Sequence, residues 1–528
     1  MIIQICLGII AGGFSFAISL YFCYMLQLES YQVKGYYRWL GEAAPRILLG
    51  FTGLTALYMI SAYILLFFKG IAGYIVGGLL LTAFFVSGVI FLRRLNEKNA
   101  KSLVYTARVK RLLITLGILI LVCMLLSLQR QVIILGLLLL LSPLLIVFAN
   151  FINTPIENGV KRHYLNDAKK KLQERPDLIK IGITGSYGKT STKFILGTIL
   201  SEKYHVLVPP SSYNTPMGLT RVIRENLENT HEVFIAEMGA RHKGDIAELV
   251  ELVKPKYGIL TSIGPQHLET FGTIETIVET KYELIKGLPE DGTGFFVNDH
   301  GYVKERYDQT EIEKCLYALV DEDTEYDVAA DEIKTTPTGS SFVVRYGEDK
   351  SFTAETKMLG KHNVLNITGC IAIALKLGLS EAEIRRGIAK IEPVEHRLQL
   401  LSSANGVTVI DDAFNANPEG TRVAMEVLGA FPGRKIVVTP GMVELGEAEE
   451  EENRRFGARM AEVADVVFLV GPKHTAPIKA GLEEAGFDTG NIFVVNSLAE
   501  ASAEMGRMLA FGDVVLFEND LPDNYSEA

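Results

Sequence analysis

Cysteine is scarce in this chain of 528 residues: five thiols, at 6, 23, 123, 315 and 370, with no paired spacing. That excludes a disulfide-stapled module and a four-cysteine zinc site. Acidic residues are nearly missing from the first 150 positions, which hold three Glu (29, 42, 97) against twelve Lys and Arg. The remaining 378 residues reverse the balance, with 40 Lys and Arg against 59 Asp and Glu. An acidic soluble part lacks the clustered positive charge that phosphate backbones require, so nucleic acid is excluded as a partner. No basic segment precedes the first apolar run, which argues against a cleaved signal peptide. Internal repeats and low-complexity tracts are absent too. With 48% apolar residues the chain is not largely disordered, and its length accommodates about three domains.

What the first 150 residues do have is uncharged length. Five stretches carry no charge: Ile5–Met25, Ile47–Phe68, Ile71–Leu92, Leu112–Leu128 and Val132–Ala149. A helix needs roughly 20 apolar residues to cross the hydrocarbon core, and in lipid its backbone must satisfy itself. Five such runs in succession predict an all-α transmembrane region of about five helices, four if the short last two do not both span. The loops between them hold three, one, seven and one Lys or Arg. This alternation places the N-terminus outside and residues 150 onward in the cytoplasm, as a multi-pass cell-membrane protein. Residues 151–176 form a polar, helix-like juxtamembrane linker whose basic residues can meet anionic lipid.

Ile179–Ile183 reads as a short buried strand. It runs into Thr184-Gly185-Ser186-Tyr187-Gly188-Lys189-Thr190-Ser191-Thr192 and a helical stretch. Strand, glycine-rich turn and helix N-terminus form an anion cradle, because backbone N–H groups and the helix dipole both favour negative charge. Lys189 can reach β- and γ-phosphates, and the Thr190 hydroxyl can hold Mg2+. Two further strands, Val233–Ala236 and Tyr257–Ser262, lead to Glu237 and His267 at the carboxyl edge where α/β sheets bind ligands. Lys281 lies on the apolar stripe of Ile274–Leu288, four after Ile277 and four before Ile285, so it faces inward. A buried ammonium is costly unless it is paired or chemically changed. Residues 394–528 alternate strands (Val407–Ile410, Lys435–Thr439, Val466–Val470, Ile492–Val495, Val514–Phe517) with helices, the pattern of a largely parallel sheet.

Seven stretches in this order are distinctive: TGSYGKTST (184–192), YNTPMG (213–218), AEMGARHKGDIA (236–247), HLETFG with its downstream lysine (267–281), GKHNVLN (360–366), HRLQ (396–399) and DDAFNANP (411–418). Through them the chain resembles the Mur ligase family, ATP-dependent amide ligases of peptidoglycan precursor synthesis, and most of all its D-Ala-D-Ala-adding branch. The resemblance implies an α/β fold: a P-loop-containing central ATP-binding domain at 177–393 and a Rossmann-like C-terminal domain at 394–528, preceded by the transmembrane region at 1–150. It implies ATP held by Thr184, Gly185, Ser186, Tyr187, Gly188, Lys189, Thr190 and Ser191, with His362 and Asn363 at adenine and Asp412 at the ribose or hinge. One Mg2+ would sit on Thr190 and Glu237. A second would sit on His267 and Lys281, the lysine carrying CO2 as a carbamate. Arg397 would reach the phosphates, and Asn214, Thr215, Asn415 and Asn417 the substrates.

The chemistry so implied is two-step: a carboxylate becomes an acyl phosphate, and an amine displaces the phosphate. Three departures bear on the substrates. The family's N-terminal nucleotide-sugar domain is replaced by the membrane region. Glu518-Asn519-Asp520 stands where relatives have a Lys-Gly-Ser-Arg-like loop, and Gly441 replaces an acidic residue. The expected partners are therefore membrane lipid, a carboxylate acceptor such as a lipid-linked muramoyl peptide, an amino acid or dipeptide as donor, and cell-wall synthesis proteins. Two other readings fit the same residues: a poly-γ-glutamate or folylpolyglutamate-type ligase, and a non-catalytic ATP-binding membrane scaffold.

Overall fold

The computed structural model describes residues 2–42, 45–97, 103–128, 132–266, 268–321, 324–336, 338–402, 406–413, 416–443 and 445–520. Two compact units divide near residue 162. In the first, four helices are long and apolar enough to cross a membrane: Ile2–Leu28, Ile47–Phe67, Ile71–Leu95 and Ala107–Ser127. The fifth apolar stretch is broken. Ile133–Leu140 and Ser142–Gln173 meet at 78°. Pro143 stands in the first turn of the second helix, where its missing N–H cannot carry the hydrogen-bond ladder back across the break.

Several polar groups inside this bundle find partners. Ser15 Oγ lies 2.7 Å from Ser142 Oγ, the Tyr58 hydroxyl donates to the Leu7 carbonyl at 2.8 Å, and Asn153 Nδ2 donates to Thr115 Oγ1 at 3.0 Å. Arg111 grips Glu157 through two hydrogen bonds of 2.7 and 2.8 Å. Pairing of this kind holds helices together where no hydrophobic force acts between them. Leu79, Phe85 and Ile90 point outward and are exposed. Such a face suits lipid rather than water.

The second unit contains two sheets. The larger comprises β1 (Ile179–Thr184), β2 (Val206–Leu207), β3 (Val233–Glu237), β4 (Tyr257–Leu260), β5 (Thr293–Val297), β6 (Glu313–Leu319), β7 (Val328–Thr336), β8 (Gly339–Tyr346) and β9 (Lys350–Thr356). Their spatial order is β2-β3-β1-β4-β5-β6-β7-β8-β9. Pairing is parallel from β2 to β7 and antiparallel from β7 to β9. The composition explains the division. β3 and β5 are buried at every residue, as strands covered on both faces must be, whereas β9 alternates exposed and buried positions. Because β1, β3 and β4 run parallel, their carboxyl ends emerge at one edge, which collects the side chains of the site.

The smaller sheet has β10 (Gln399–Ser402), β11 (Thr408–Asp412), β12 (Lys435–Thr439), β13 (Val466–Val470), β14 (Ile492–Val495) and β15 (Val514–Glu518), in the order β10-β11-β15-β12-β13-β14. The added strand β10 pairs antiparallel with β11, and the rest are parallel. Alternate residues serve opposite cores. Ile410, Val437, Leu469 and Leu516 pack on one side; Ile436, Val438, Phe468 and Val515 pack on the other. In β11 and β15 the register sets Asp412 beside Glu518 at the carboxyl edge.

Candidate active site

The glycine turn after β1 is built so that only glycine fits at two places. Gly185 has φ of +151°, and a Cβ there would stand 1.9 Å from Thr261 Oγ1. Gly188, with φ of +76°, starts the helix Lys189–Leu200, and its Cβ would meet Asn366 Oδ1 at 2.6 Å. The loop is pinned from β4's exit: Ser186 N and Tyr187 N donate to the Ser262 carbonyl at 2.9 and 3.2 Å, and Thr261 Oγ1 donates to the Tyr187 carbonyl at 2.6 Å. Lys189 Nζ folds back to donate to the Gly185 and Ser186 carbonyls at 2.7 and 2.9 Å. Burial pushes this ammonium down to about 8, Arg397 adds to the effect, and Glu237 opposes it. Ser191 is buried in the same first turn.

Glu237 ends β3 and is 1% exposed. Its Oε1 accepts from Thr190 Oγ1 and from Asn214 Nδ2, each at 3.0 Å. Its Oε2 faces Lys193 Nζ at 3.3 Å. Lys193 is fully buried and also donates to the Ser211 carbonyl. The reading from residues alone passed over it. The available signal was its place one helical turn after Lys189, a charge entering the apolar run toward Leu200. Among the described residues no three His, Cys, Asp or Glu gather to cage a metal. Mg2+ does not need such a cage, because it usually keeps water and takes one or two carboxylates plus substrate phosphates. The Thr190 and Glu237 oxygens, adjacent and beside the cradle, fit one such ion.

Lys281 sits in the helix Ile274–Lys286, opened by the Thr273 side chain accepting from Thr276 N at 3.2 Å. It is 3% exposed and makes no hydrogen bond to the described residues; the Phe271 ring lies 5.9 Å from its Nζ. Burial holds this ammonium well below its ordinary range, Lys189 adds to the effect, and Asp245, Glu237 and Glu283 pull against it. Lys281, Lys189 and Glu237 thus share one electrostatic neighbourhood. His267 and Asn415 lie outside the described residues.

Arg397 is held between two non-glycine residues in the left-handed region, His396 at φ +59° and Leu398 at φ +46°. Conformations of this kind persist where the surroundings over-determine them, commonly at functional sites. His396 Nδ1 is 2.7 Å from Asp411 Oδ2, and Leu398 N donates to Asp412 Oδ1 at 3.1 Å. Burial lowers the Arg397 guanidinium's proton affinity, while Asp412, Glu237 and Glu518 act in the opposite direction. Arg397 therefore feels carboxylates of both sheets.

Comparison with known proteins decides the family. Residues 183–374 match the Mur ligase middle domain, and residues 396–518 match the Mur ligase, glutamate ligase domain. The UDP-N-acetylmuramoyl-tripeptide–D-alanyl-D-alanine ligase of Bacillus subtilis (strain 168) is 31% identical over 354 residues, covering 66% of this chain and 75% of that protein. The chain belongs to the Mur ligase family. It is accordingly an ATP-dependent ligase. The corresponding ligase of Mycobacterium tuberculosis (strain ATCC 25618 / H37Rv) is 32% identical over 357 residues, covering 64% of this chain and 69% of that one. Among solved structures, MurF from Acinetobacter baumannii superposes with a TM-score of 0.62 at 26% identity, covering 70% of this chain and 79% of its own. MurF ligase from Thermotoga maritima, solved with ADP, gives 0.61 at 26% identity over 68% of this chain and 80% of its own.

The remaining Mur ligase motifs occupy distinct places. His362 lies in the first turn of the helix Lys361–Lys376; its Nδ1 is buried without a partner among the described residues, and burial, aided by Arg422, pushes the ring down to about 4. Asn363 is buried and donates through Nδ2 to the Leu359 carbonyl at 2.8 Å. Asn214 enters the Glu237 cluster. Thr215 and Asn417 cap helices instead: Thr215 Oγ1 accepts from Gly218 N at 3.2 Å, and Asn417 Oδ1 accepts from Gly420 N at 2.9 Å. Thr184 Oγ1 donates to the Met238 carbonyl at 2.8 Å, tying β1 to the residue after Glu237.

Proposed function

We propose that this chain is a membrane-anchored ligase that joins a muramoyl-peptide carboxylate to an amine through an acyl phosphate. One observation carries the reading. A glycine cradle with a buried lysine and a threonine–glutamate oxygen pair stand at one sheet edge, and a second buried lysine, with no hydrogen bond to the described residues, shares their electrostatic neighbourhood. A carboxylate is a poor electrophile because its charge repels nucleophiles. Phosphorylation removes that charge and supplies a leaving group. Lys189 and Arg397 offset the charge on the transferring phosphoryl oxygens, and burial excludes water. Thr190 and Glu237 would hold Mg2+, which neutralises phosphate charge when bound. Lys281 as a carbamate would offer oxygens, with His267, to a second ion. Neutral His362, its buried Nδ1 unbonded among the described residues, suits adenine.

The names of the relatives suggest the substrates, a UDP-linked muramoyl tripeptide and D-Ala-D-Ala. The four apolar helices support an anchor, and with it a lipid-linked form of the acceptor. The test uses full-length protein in detergent with ATP and Mg2+. Soluble and lipid-linked muramoyl tripeptides are paired with D-Ala-D-Ala and single amino acids, while ADP release and product mass are followed. ADP release should require both partners, and Lys189→Ala should abolish it. Release that ignores the carboxylate would defeat the proposal. Equal turnover of the soluble acceptor after removal of residues 1–150 would remove the case for a lipid-linked one.

A further inference from the structure

Asp412 and Glu518 end neighbouring parallel strands and face each other in register at the carboxyl edge of the second sheet. Glu518 is 1% exposed, and neither of its carboxyl oxygens has a hydrogen-bond donor among the described residues. What lies within hydrogen-bonding reach is the Asp412 carboxyl, which is itself an acceptor unless one of the two holds a proton. Asp412 is better supplied, through Leu398 N. Leaving a buried carboxyl without a donor costs free energy that a ligand with N–H groups would recover. Arg397 feels both carboxyls of the pair and Glu237 as well, so the pair borders the reacting centre rather than a remote surface.

We infer that the Asp412–Glu518 pair seats the primary ammonium of the amine co-substrate and takes its first proton. The inference rests on the acyl-phosphate reading and adds to it the group that makes the amine a nucleophile. With one proton shared, the pair carries a single negative charge. It binds R–NH3+, accepts one proton and becomes neutral. The freed lone pair attacks the acyl carbon; the C–N bond forms, the C–O bond to phosphate breaks, and phosphate leaves with that electron pair and takes the second N–H proton. Burial and Asp412 push Glu518 well above the usual carboxylate range, while burial pushes Asp412 up to about 6 against the pull of Arg397. A base poised near working pH is the effective kind. The charged groups facing the pair are Arg397 and Asp411, the latter engaged by His396.

Hydroxylamine separates this role from the rest of the reaction, because it is largely neutral at pH 7 and intercepts acyl phosphates without a base. Full-length wild type and Glu518→Gln are given ATP, Mg2+ and a muramoyl tripeptide, with hydroxylamine in one arm and D-Ala-D-Ala or single amino acids in the other. Gln is isosteric, and its amide can donate to Asp412 in place of the shared proton. Hydroxamate should stay within about threefold of wild type while amide product falls by about 100-fold, the lower end of general-base contributions. Equal loss in both arms with ADP binding intact, or loss in neither, would overturn the inference. Wild type that forms no hydroxamate would defeat the acyl-phosphate reading, and this inference with it. Wild type that forms hydroxamate but no amide with any amine would overturn the inference alone. Glu518→Ala, read the same way, decides the matter if Glu518→Gln does not fold.

Discussion

Lys193 offers the sharpest test of how the Glu237 carboxylate is held. Lys193→Met keeps an unbranched side chain only one atom shorter and removes its charge, leaving Glu237 Oε2 buried without its cation at 3.3 Å. Breaking a buried pair from one side costs about 3–5 kcal/mol, since the surviving charge is uncompensated. The two donors on Oε1, Thr190 and Asn214, remain and should keep the loss near the lower bound, about 3 kcal/mol. That corresponds to a drop of roughly 100-fold in the equilibrium protecting this region, at about 1.4 kcal/mol per decade. Hydrogen exchange read by mass spectrometry on peptides covering β3 measures it locally, without assuming that a chain of several domains unfolds in one step. Glu237→Gln should cost a comparable amount, by stranding the Lys193 ammonium. The double variant should cost less than the two single losses added, by about 2 kcal/mol or more. Mg2+ with ADP should return more protection to Lys193→Met than to wild type if Glu237 meets the ion. Additive losses, or a single-variant loss below about 1 kcal/mol, would refute the pairing as the element that holds Glu237.

Two further outcomes follow from the other lysines. Lys281→Ala should release no ADP, and a small carboxylate such as acetate or formate should restore part of the activity by replacing the carbamate oxygens; normal turnover of the unrescued variant would refute the assignment. Lys189 titrates at about 8 in the folded chain against an ordinary 10.5, so between those values the unfolded chain holds more protons and stability rises with pH. Below about 8 the full cost of the buried charge is carried. A bound phosphate raises that affinity again, so ADP binding should take up about half a proton at pH 8 and close to one at pH 9, and weaken as pH climbs further. Calorimetry in two buffers of different ionisation enthalpy reads the uptake, and no difference between the buffers would refute it.

Much of the architecture was legible along the chain because it depends on local patterning. Uncharged runs long enough for a bilayer marked the first unit, and the period of the strands and helices marked the parallel sheets. The strand–turn–helix at Thr184–Thr190 was readable because its glycines answer a local need for positive φ. Lys281 read as inward from its stripe of apolar neighbours, and its helix buries it there. The bend before Pro143 was missed because the run from Val132 to Ala149 is uniformly apolar, and hydropathy does not register a broken hydrogen-bond ladder. β10 escaped notice because a short edge strand is defined by its partner rather than by its own four residues.

Tertiary structure decided everything that depends on distance between remote residues. Lys193 and Glu237 are 44 positions apart, and Asp412 and Glu518 are 106 apart. Only strand register and helix packing bring each pair together. Thr215 and Asn417, named as substrate contacts from their motifs, also cap helix N-termini, a role that the fold alone shows. Sequence alone determined which chemical groups the chain possesses and in which kind of element each stands, because propensity and periodicity act over a few residues. Which groups meet, and which buried charge is left to find a partner, was set by burial in a common interior, where removal from water makes each missing partner costly.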